Sequence, residues 1–297
     1  MIIPCDTIAK DLTNKLKANV SLLTSKGKQL KLLAVLAGDQ PEQYSYVRIK
    51  QNLAHALGIG FESINFPNPP PFPEFLKLIQ EKVAQTDTTG MILQLPLPKE
   101  YDQETLYESI PRVKEIEGHH SASSYVFPLV QACVIGLDWV FRSQNGLQKS
   151  CILPIWPDND LISWLRTKQI VVAGRGMTTG KPVAAFFDKL HVPFKQTNST
   201  TQDPDSMYRK ADIIICGVGR RVITKSNIKK GVVLLNFGLH KETKEVHHTK
   251  KSFLVGDYDE EEVKDLASWY TITPGGLGPI DILCLYGNLI ESATAQT

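Results

Sequence analysis

Apolar and polar positions along this chain repeat with two periods, and the switches between them predict the elements. Residues 5–26 carry apolar side chains at helical spacing and read as an amphipathic helix. Leu30 to Ala37 (LKLLAVLA) is a short apolar run, broken only by Lys31 and closed by Gly38-Asp39, which suits a buried parallel strand. A helix is predicted from Ser45 to about Leu57, ended by Gly58, and a second strand from Phe61 to Phe66. A proline-rich loop (Pro67 to Pro73) leads to a helix over Glu74–Gln85. Thr89 to Leu95 (TGMILQL) forms a third strand, stopped by Pro96 and Pro98, and a helix lies near Gln103–Ser109. This alternation predicts an α/β domain with a largely parallel sheet.

A second α/β unit begins near Gln169. Gln169 to Ala173 reads as a strand, Pro182 to Leu190 as a helix, and further strands follow: one running into Phe194-Lys195-Gln196-Thr197-Asn198-Ser199, then Asp212 to Gly217 and Val232 to Phe237. The chain closes with an apolar helix to about Ser292. Tyr125 to Phe141 is the longest apolar run, but it contains Gln131 and Asp138 and is short for a membrane span.

Composition narrows the class. The 297 residues are 42% hydrophobic and 22% charged, as in a soluble globular protein with room for two domains. A net charge of +2 with scattered Lys and Arg gives no electrostatic case for nucleic acid or an anionic membrane. The five cysteines (Cys5, Cys133, Cys151, Cys216, Cys284) show no CxxC or zinc spacing and read as reduced, buried thiols of a cytoplasmic protein. Asp6, Lys10, Asp11 and Lys15 interrupt any signal-peptide pattern. His119-His120 and His247-His248 lack metal-ligand spacing and read as surface histidines, so no metal is expected.

Several stretches carry candidate chemistry. On the predicted 45–57 helix, Tyr46, Lys50, Leu53 and Leu57 share one stripe, setting an ammonium and a phenol beside two leucines. Apolar neighbours lower a lysine's pKa toward the range useful for proton transfer; the alternative is a lysine that snorkels from an ordinary core helix. Gln94 stands at the carboxyl end of a parallel strand, where ligands of such sheets bind, and its amide can both donate and accept. Glu115 and Glu117 sit two apart before Gly118. In an extended segment both carboxylates point the same way, although the isolated pattern favours a solvated turn. Gly174-Arg175-Gly176-Met177-Thr178-Thr179-Gly180-Lys181-Pro182 joins a strand to a helix, as a pyrophosphate-binding turn would. Its G-x-G-x-x-x-G spacing is not the commonest fingerprint, and Pro182 breaks the P-loop pattern. No acid follows the next strand, whereas Arg175, Lys195 and Ser199 suit a 2′-phosphate, which favours NADP over NAD. Gly217-Val218-Gly219 can bring backbone close to a ligand, and Thr273-Pro274-Gly275-Gly276-Leu277-Gly278-Pro279 can wall a cleft or merely open a helix.

Taken in this order, the motifs resemble the methylenetetrahydrofolate dehydrogenase/methenyltetrahydrofolate cyclohydrolase family over nearly the whole chain. The resemblance rests on Tyr46-Val47-x-x-Lys50 with Gly58-Ile59-Gly60-Phe61, Gly90-Met91-Ile92-Leu93-Gln94-Leu95-Pro96-Leu97-Pro98, and Lys114-Glu115-Ile116-Glu117-Gly118. It continues through Gly174-Arg175 with Gly180-Lys181-Pro182, Gly256-Asp257, and Ile272-Thr273-Pro274 with the Gly-Gly-x-Gly-Pro lip. Short-chain dehydrogenases share Tyr-x-x-x-Lys, but there the glycine turn comes first in sequence.

The resemblance implies two α/β domains with a cleft between them. Residues 1–150 would form the folate-binding catalytic domain, completed by a C-terminal helix over 279–297, and residues 151–278 a Rossmann-type NADP-binding domain through which homodimers form. It implies that Lys50 is the acid/base of the cyclohydrolase step, that Gln94 tunes it, that Tyr46 stacks on the folate and that Glu117 binds the pterin edge. Gly276 and Pro279 would form the folate-side lip. Gly174, Arg175, Gly176, Thr179, Gly180, Ser199, Gly217, Val218 and Gly219 would hold NADP, with NAD as the alternative. The implied activity is bifunctional oxidation of 5,10-methylenetetrahydrofolate and hydrolysis of the methenyl product. A monofunctional dehydrogenase and a non-catalytic binding paralogue are the alternatives. Departures from the family pattern are Glu117 for Asp, Pro154-Ile155-Trp156-Pro157 for Pro-Cys-Thr-Pro, Gly176 for Ser, a lip lacking a valine and a proline, Asp281 for Thr, a longer 121–149 segment and a shortened 157–169 connection.

Overall fold

The computed structural model describes residues 1–85, 87–147, 153, 156–246 and 249–296, with only the backbone at 244–246 and 249–251. Cys151, Pro154, Ile155 and the His247-His248 pair lie outside the described residues. The chain divides into two compact units: Asp11–Pro128 with Ile282–Thr297, and Met1–Lys10 with Leu129–Asp281.

In the first unit, β1 (Lys31–Ala37) is the centre of a parallel sheet, with β2 (Gly60–Phe66) on one side and β3 (Gly90–Gln94) on the other. The run read as a buried strand is buried along nearly its whole length, as expected when helices cover both faces. Alternate residues Leu33, Val35 and Ala37 of β1, with Met91 and Leu93 of β3, pack on Phe75, Ile79 and Val83 of α3 (Phe72–Val83) and on α4 (Gln103–Ser109). The period of two on the strands meets the period of four on the helix. Asp102 caps α4, accepting from the Thr105 N–H. The long helix α1 (Cys5–Ser25) begins in the second unit and ends in the first. Helix α2 (Pro41–Leu57) is closed by Gly58 at φ +80, a left-handed position that suits glycine.

The second unit carries a parallel sheet in the order β10-β7-β6-β4-β5, built from β4 (Ile170–Ala173), β5 (Phe194–Thr197), β6 (Ile213–Cys216), β7 (Val233–Asn236) and β10 (Trp269–Tyr270). Counted within the unit this is the doubly wound order 2-1-3-4-5. Its winding reverses between β4 and β6, the place where such sheets bind ligands. Helix α7 (Gly180–Lys189) follows β4, and α8 (Pro204–Lys210) follows β5. Between β7 and β10 lie an antiparallel hairpin, β8 (His240–Val246) with β9 (Thr249–Val255), and the short α9 (Glu260–Val263). Neither the hairpin nor α8 stood out in the sequence, because their residues are mostly polar. Helix α6 (Asn159–Arg166), capped by Asp158 through the Leu161 N–H, occupies what the sequence presented as a mere connection.

The unit boundaries differ from those expected at 150/151 and 278/279. Helix α5 (Pro128–Gln144) groups almost entirely with the nucleotide-type sheet, because it is apolar on most of its faces and Gly136 abuts Leu235 and Leu277. Met1–Lys10 groups there too: Ile3 N–H donates to the Tyr270 carbonyl at 2.9 Å, and Tyr270 N–H to the Met1 carbonyl at 3.0 Å. Among the described residues no helix is long and apolar enough to cross a membrane.

The last helix, α10 (Gly278–Ala295), leaves the second unit and completes the first. Residues 283–289 are buried on every face of the helix, so its central polar groups need internal partners. Asn288 Nδ2 donates to the carbonyls of Ile116 (2.8 Å) and Val126 (3.1 Å). Ser292 Oγ lies 2.9 Å from the Thr89 carbonyl and 2.7 Å from that of Val113. Replacing Ser292 by Ala removes this hydroxyl, although Gln296 Nε2 still reaches the Thr89 carbonyl and the Tyr125 hydroxyl that of Val113, so the cost is that of a lost hydrogen bond, about 0.5–1.5 kcal/mol. Urea unfolding of Ser292→Ala is expected to show a lower midpoint at an unchanged slope.

Candidate active site

The buried stripe of α2 runs through Gln43, Val47, Ala54 and Leu57. Lys50 falls on that stripe, three and four residues from its neighbours, and its side chain is only 14% exposed. Tyr46 does not share the burial suggested by the sequence, being 45% exposed one turn earlier. From this position Lys50 Nζ donates to Gln94 Oε1 at 3.0 Å and pairs with Glu117 Oε1 at 3.6 Å. The three residues singled out from separate motifs therefore form one cluster within the first unit. The Lys50 ammonium neither snorkels to bulk water nor sits unpaired.

Each member is held from behind. Gln94 ends β3, and its Nε2 donates to the Leu95 carbonyl at 3.0 Å, which orients Oε1 toward the lysine. Gln43, buried on α2, donates through Nε2 to the carbonyls of Gln94 (3.2 Å) and Pro96 (2.6 Å) and so ties the helix to the strand end. The Tyr286 hydroxyl of α10 donates to the Lys50 carbonyl at 2.6 Å. Sequence reasoning missed Gln43 and Tyr286. The signal for Gln43 was a polar residue seven positions before Lys50 on an otherwise apolar stripe; Tyr286 gave none.

Glu115 and Glu117 do not act as a pair. Glu115 forms a bridge beside Met91, and its buried carboxylate accepts from the backbone N–H groups of Glu117, Gly118, His119 and His120 at 2.7–3.1 Å. It shapes the loop that presents Glu117. His119 stacks on Tyr107 with centroids 4.2 Å apart and meets Phe127 edge-on, so this histidine is not on the surface. Burial lowers its pKa and keeps the ring neutral. His120 pairs with Glu108 at 3.5 Å.

In the second unit the turn after β4 offers donors. No backbone N–H from Arg175 to Thr179 donates to another described residue, and α7 begins there without a side-chain cap. Such a helix N-terminus suits a phosphate. The glycines divide into two kinds. Gly180 and Gly217 are filled by the protein itself: a Cβ at Gly180 would strike the Gly174 carbonyl, and one at Gly217 the side chain of Thr179. Gly174 needs its φ of +108, and Gly176 has open space where a side chain would stand. Gln196 Nε2 pins the turn by donating to the carbonyls of Gly174 (2.9 Å) and Gly180 (3.0 Å).

The Gly217-Val218-Gly219 loop, at the end of β6, lies across the switch point from that turn. Its amides are already engaged: buried Asp257 accepts from the N–H groups of Val218 (2.7 Å), Gly219 (2.9 Å) and Arg220 (3.1 Å). The loop therefore offers a ligand its contour and carbonyls rather than its donors. Arg175, Lys195 and Ser199 are exposed, and none of their side chains has a hydrogen-bond or ion-pair partner among the described residues. Gly276 and Pro279 also belong to this unit, on the turn opening α10; a Cβ at Gly276 would strike the Ile272 carbonyl. The donor set and the open cradle at Gly176 fit a dinucleotide phosphate.

A doubly wound sheet with a free phosphate cradle, in a chain whose other α/β unit carries a lysine–amide–carboxylate cluster, defines an enzyme of the nucleotide-dependent oxidoreductase class. Two family models match the chain: tetrahydrofolate dehydrogenase/cyclohydrolase, catalytic domain, over residues 3–117, and its NAD(P)-binding domain over residues 160–297. The bifunctional protein FolD of Exiguobacterium sp. (strain AT1b) is 32% identical over 300 residues, covering 99% of each chain. That of Geobacillus thermodenitrificans is 31% identical, covering 98% of this chain and 96% of its own. The solved bifunctional FolD enzyme of Campylobacter jejuni shares the fold with a TM-score of 0.82 at 23% identity, covering 100% of this chain and 99% of its own. The chain belongs to the tetrahydrofolate dehydrogenase/cyclohydrolase family.

The buried Glu115 gives the site a pH signature. Burial pushes its carboxyl from 4.5 up to about 7, against the opposing pull of the backbone N–H groups. Because the folded-state pKa is the higher one, its contribution to stability is fully present below pH 4.5 and is lost as pH rises through about 7. The loss amounts to about 3 kcal/mol at most. Urea unfolding across that range is expected to show the decline in the wild type and a flatter profile in Glu115→Gln, which cannot ionise.

Proposed function

We propose that the protein oxidises 5,10-methylenetetrahydrofolate to the methenyl form with NADP and hydrolyses the product to 10-formyltetrahydrofolate. The observation that carries this reading is the Lys50 ammonium held between Gln94 and Glu117 at 3.0 and 3.6 Å. NADP held at the turn after β4 would supply the hydride acceptor for the folate methylene carbon, so no covalent protein group is required. Residues of the chain then supply orientation and proton transfer.

In this reading Lys50 moves the proton that accompanies water addition to the methenyl carbon, with its Nζ aimed by Gln94 Oε1. The Glu117 carboxylate takes the N–H donors of the pterin edge, and the exposed Tyr46 ring stacks on the folate. Gly276 and Pro279 form the folate-side lip. The free amides from Arg175 to Thr179, with Gly174, Gly176 and Gly180 shaping the turn, hold the pyrophosphate. Gly217, Val218 and Gly219 would border the cofactor by contour, and Arg175 and Ser199 would meet the 2′-phosphate. The same reading makes the protein a cytoplasmic homodimer, in keeping with the four buried free thiols among the described residues and with the dimers that the family resemblance implies.

The decisive assay follows NADPH formation from methylenetetrahydrofolate at saturating NADP; absence of any signal abandons the dehydrogenase. Decay of added methenyltetrahydrofolate at the rate of buffer alone would leave a monofunctional enzyme. Lys50→Met is expected to slow the hydrolysis by about 10²-fold or more, the usual weight of a positioned acid/base. Arg175→Ala is expected to raise the NADP Kd by about tenfold or more, as loss of a charge-assisted contact does, while NAD binding changes little.

A further inference from the structure

The cluster poses a question that its geometry answers: which group sets the charge of Lys50. From β3 it faces Gln94, which is neutral, and from α10 the Tyr286 hydroxyl, which is spent on the Lys50 backbone carbonyl. On its own helix Tyr46 and Arg48 are exposed. The segment after α4 brings Glu117 and His119 into electrostatic range of Lys50, with Glu115 and Tyr107 next to them. The Glu115 carboxylate is turned away, wrapped by four backbone N–H groups. His119 is stacked against Tyr107 and stays neutral. Among the described residues, the counter-ion of Lys50 is therefore Glu117, and both side chains are largely withdrawn from water at 14% and 17% exposure.

Glu117 is also the acid to which the folate reading assigns the pterin edge, and the present inference rests on that reading. A pterin presents two adjacent N–H donors, which match the two oxygens of one carboxylate. A carboxylate that swings onto those donors carries its charge away from the lysine ammonium that it meets at 3.6 Å in the free protein. Lys50 must lose a proton at some stage if it serves as a base, and the ion pair opposes that loss. We propose that Glu117 is a displaceable counter-ion: it holds Lys50 as an ammonium in the free protein, and a bound pterin claims the carboxylate and releases the Lys50 proton to solvent. Binding of the correct ring thereby arms the base, and an empty site keeps it charged. The longer reach of Glu is what brings the carboxylate onto the ammonium; an aspartate at this position would stop about a methylene short.

The test is calorimetric titration of the full-length protein with tetrahydrofolate, in buffers of different ionisation heat, through the alkaline range. This ligand carries no methenyl cation that could repel the ammonium itself. An opposite charge at this distance changes proton affinity by about tenfold or more, so the wild type is expected to release a proton on binding. Glu117→Gln and Lys50→Arg are expected to bind without release, the first lacking the counter-ion and the second a group that does not titrate. Glu117→Asp is expected to show a smaller release. Saturable binding of tetrahydrofolate to the wild type with no proton release overturns the proposal, and so does undiminished release in Lys50→Arg. Absence of saturable binding would instead overturn the folate reading.

Discussion

A helix whose centre is buried on every face must answer for each polar group it carries there, and α10 does so by holding the elements of the catalytic unit together. Tyr286 donates to the carbonyl of Lys50 on α2. Asn288 donates to the carbonyl of Ile116, next to Glu117, and Ser292 reaches those of Thr89, at the foot of β3, and Val113. One helix thus braces the three segments that supply Lys50, Gln94 and Glu117. Unsatisfied carbonyls at these depths would each cost on the order of 1–3 kcal/mol. Positions of these three side chains are in this sense a consequence of backbone hydrogen-bond satisfaction.

Within that frame, environment decides what identical side chains do. Glu115 and Glu117 are two residues apart, yet one is sealed among backbone donors and the other meets an ammonium. Burial raises the proton affinity of the first; the second keeps an ionic partner and a share of solvent. Asp257 in the second unit repeats the Glu115 solution, since a buried carboxylate gathers the amides of a loop and gives it a fixed shape. Burial raises its pKa too, with the loop amides pulling the other way. Both carboxylates are structural, and both lie next to residues proposed to touch ligands.

The nucleotide turn shows how a glycine motif can mislead about cause. Gly180 and Gly217 lack side chains because other protein atoms occupy that space, whereas the cradle itself is the set of unclaimed amides from Arg175 to Thr179. The spacing G-x-G-x-x-x-G is therefore in part a record of chain packing, with open space only at Gly176. Doubly wound strand order then brings this turn and the β6 loop to the point where the winding reverses.

Much of this was legible along the chain. Hydrophobic period located β1 to β3, α2 to α4, β4, α7, β6 and β7 within a few residues, because each buries a stripe or a face that leaves its mark on neighbouring positions. The motif order pointed to the family, and Lys50, Gln94 and Glu117 were named from it. Illegible were α6, α8 and the β8–β9 hairpin, whose polar residues carry little period, and the assignment of α5 and the first ten residues to the nucleotide-type unit. Sequence determined which residue types stand where, since local propensity and periodicity act over a turn or two. Tertiary structure alone decided that Lys50 pairs with Glu117 and not Glu115, that Tyr286 supports it from 236 residues away, and that Asp257 rather than a ligand holds the Gly217 loop. Those choices depend on which backbone donors and charges converge in space, and separation along the chain carries no trace of that.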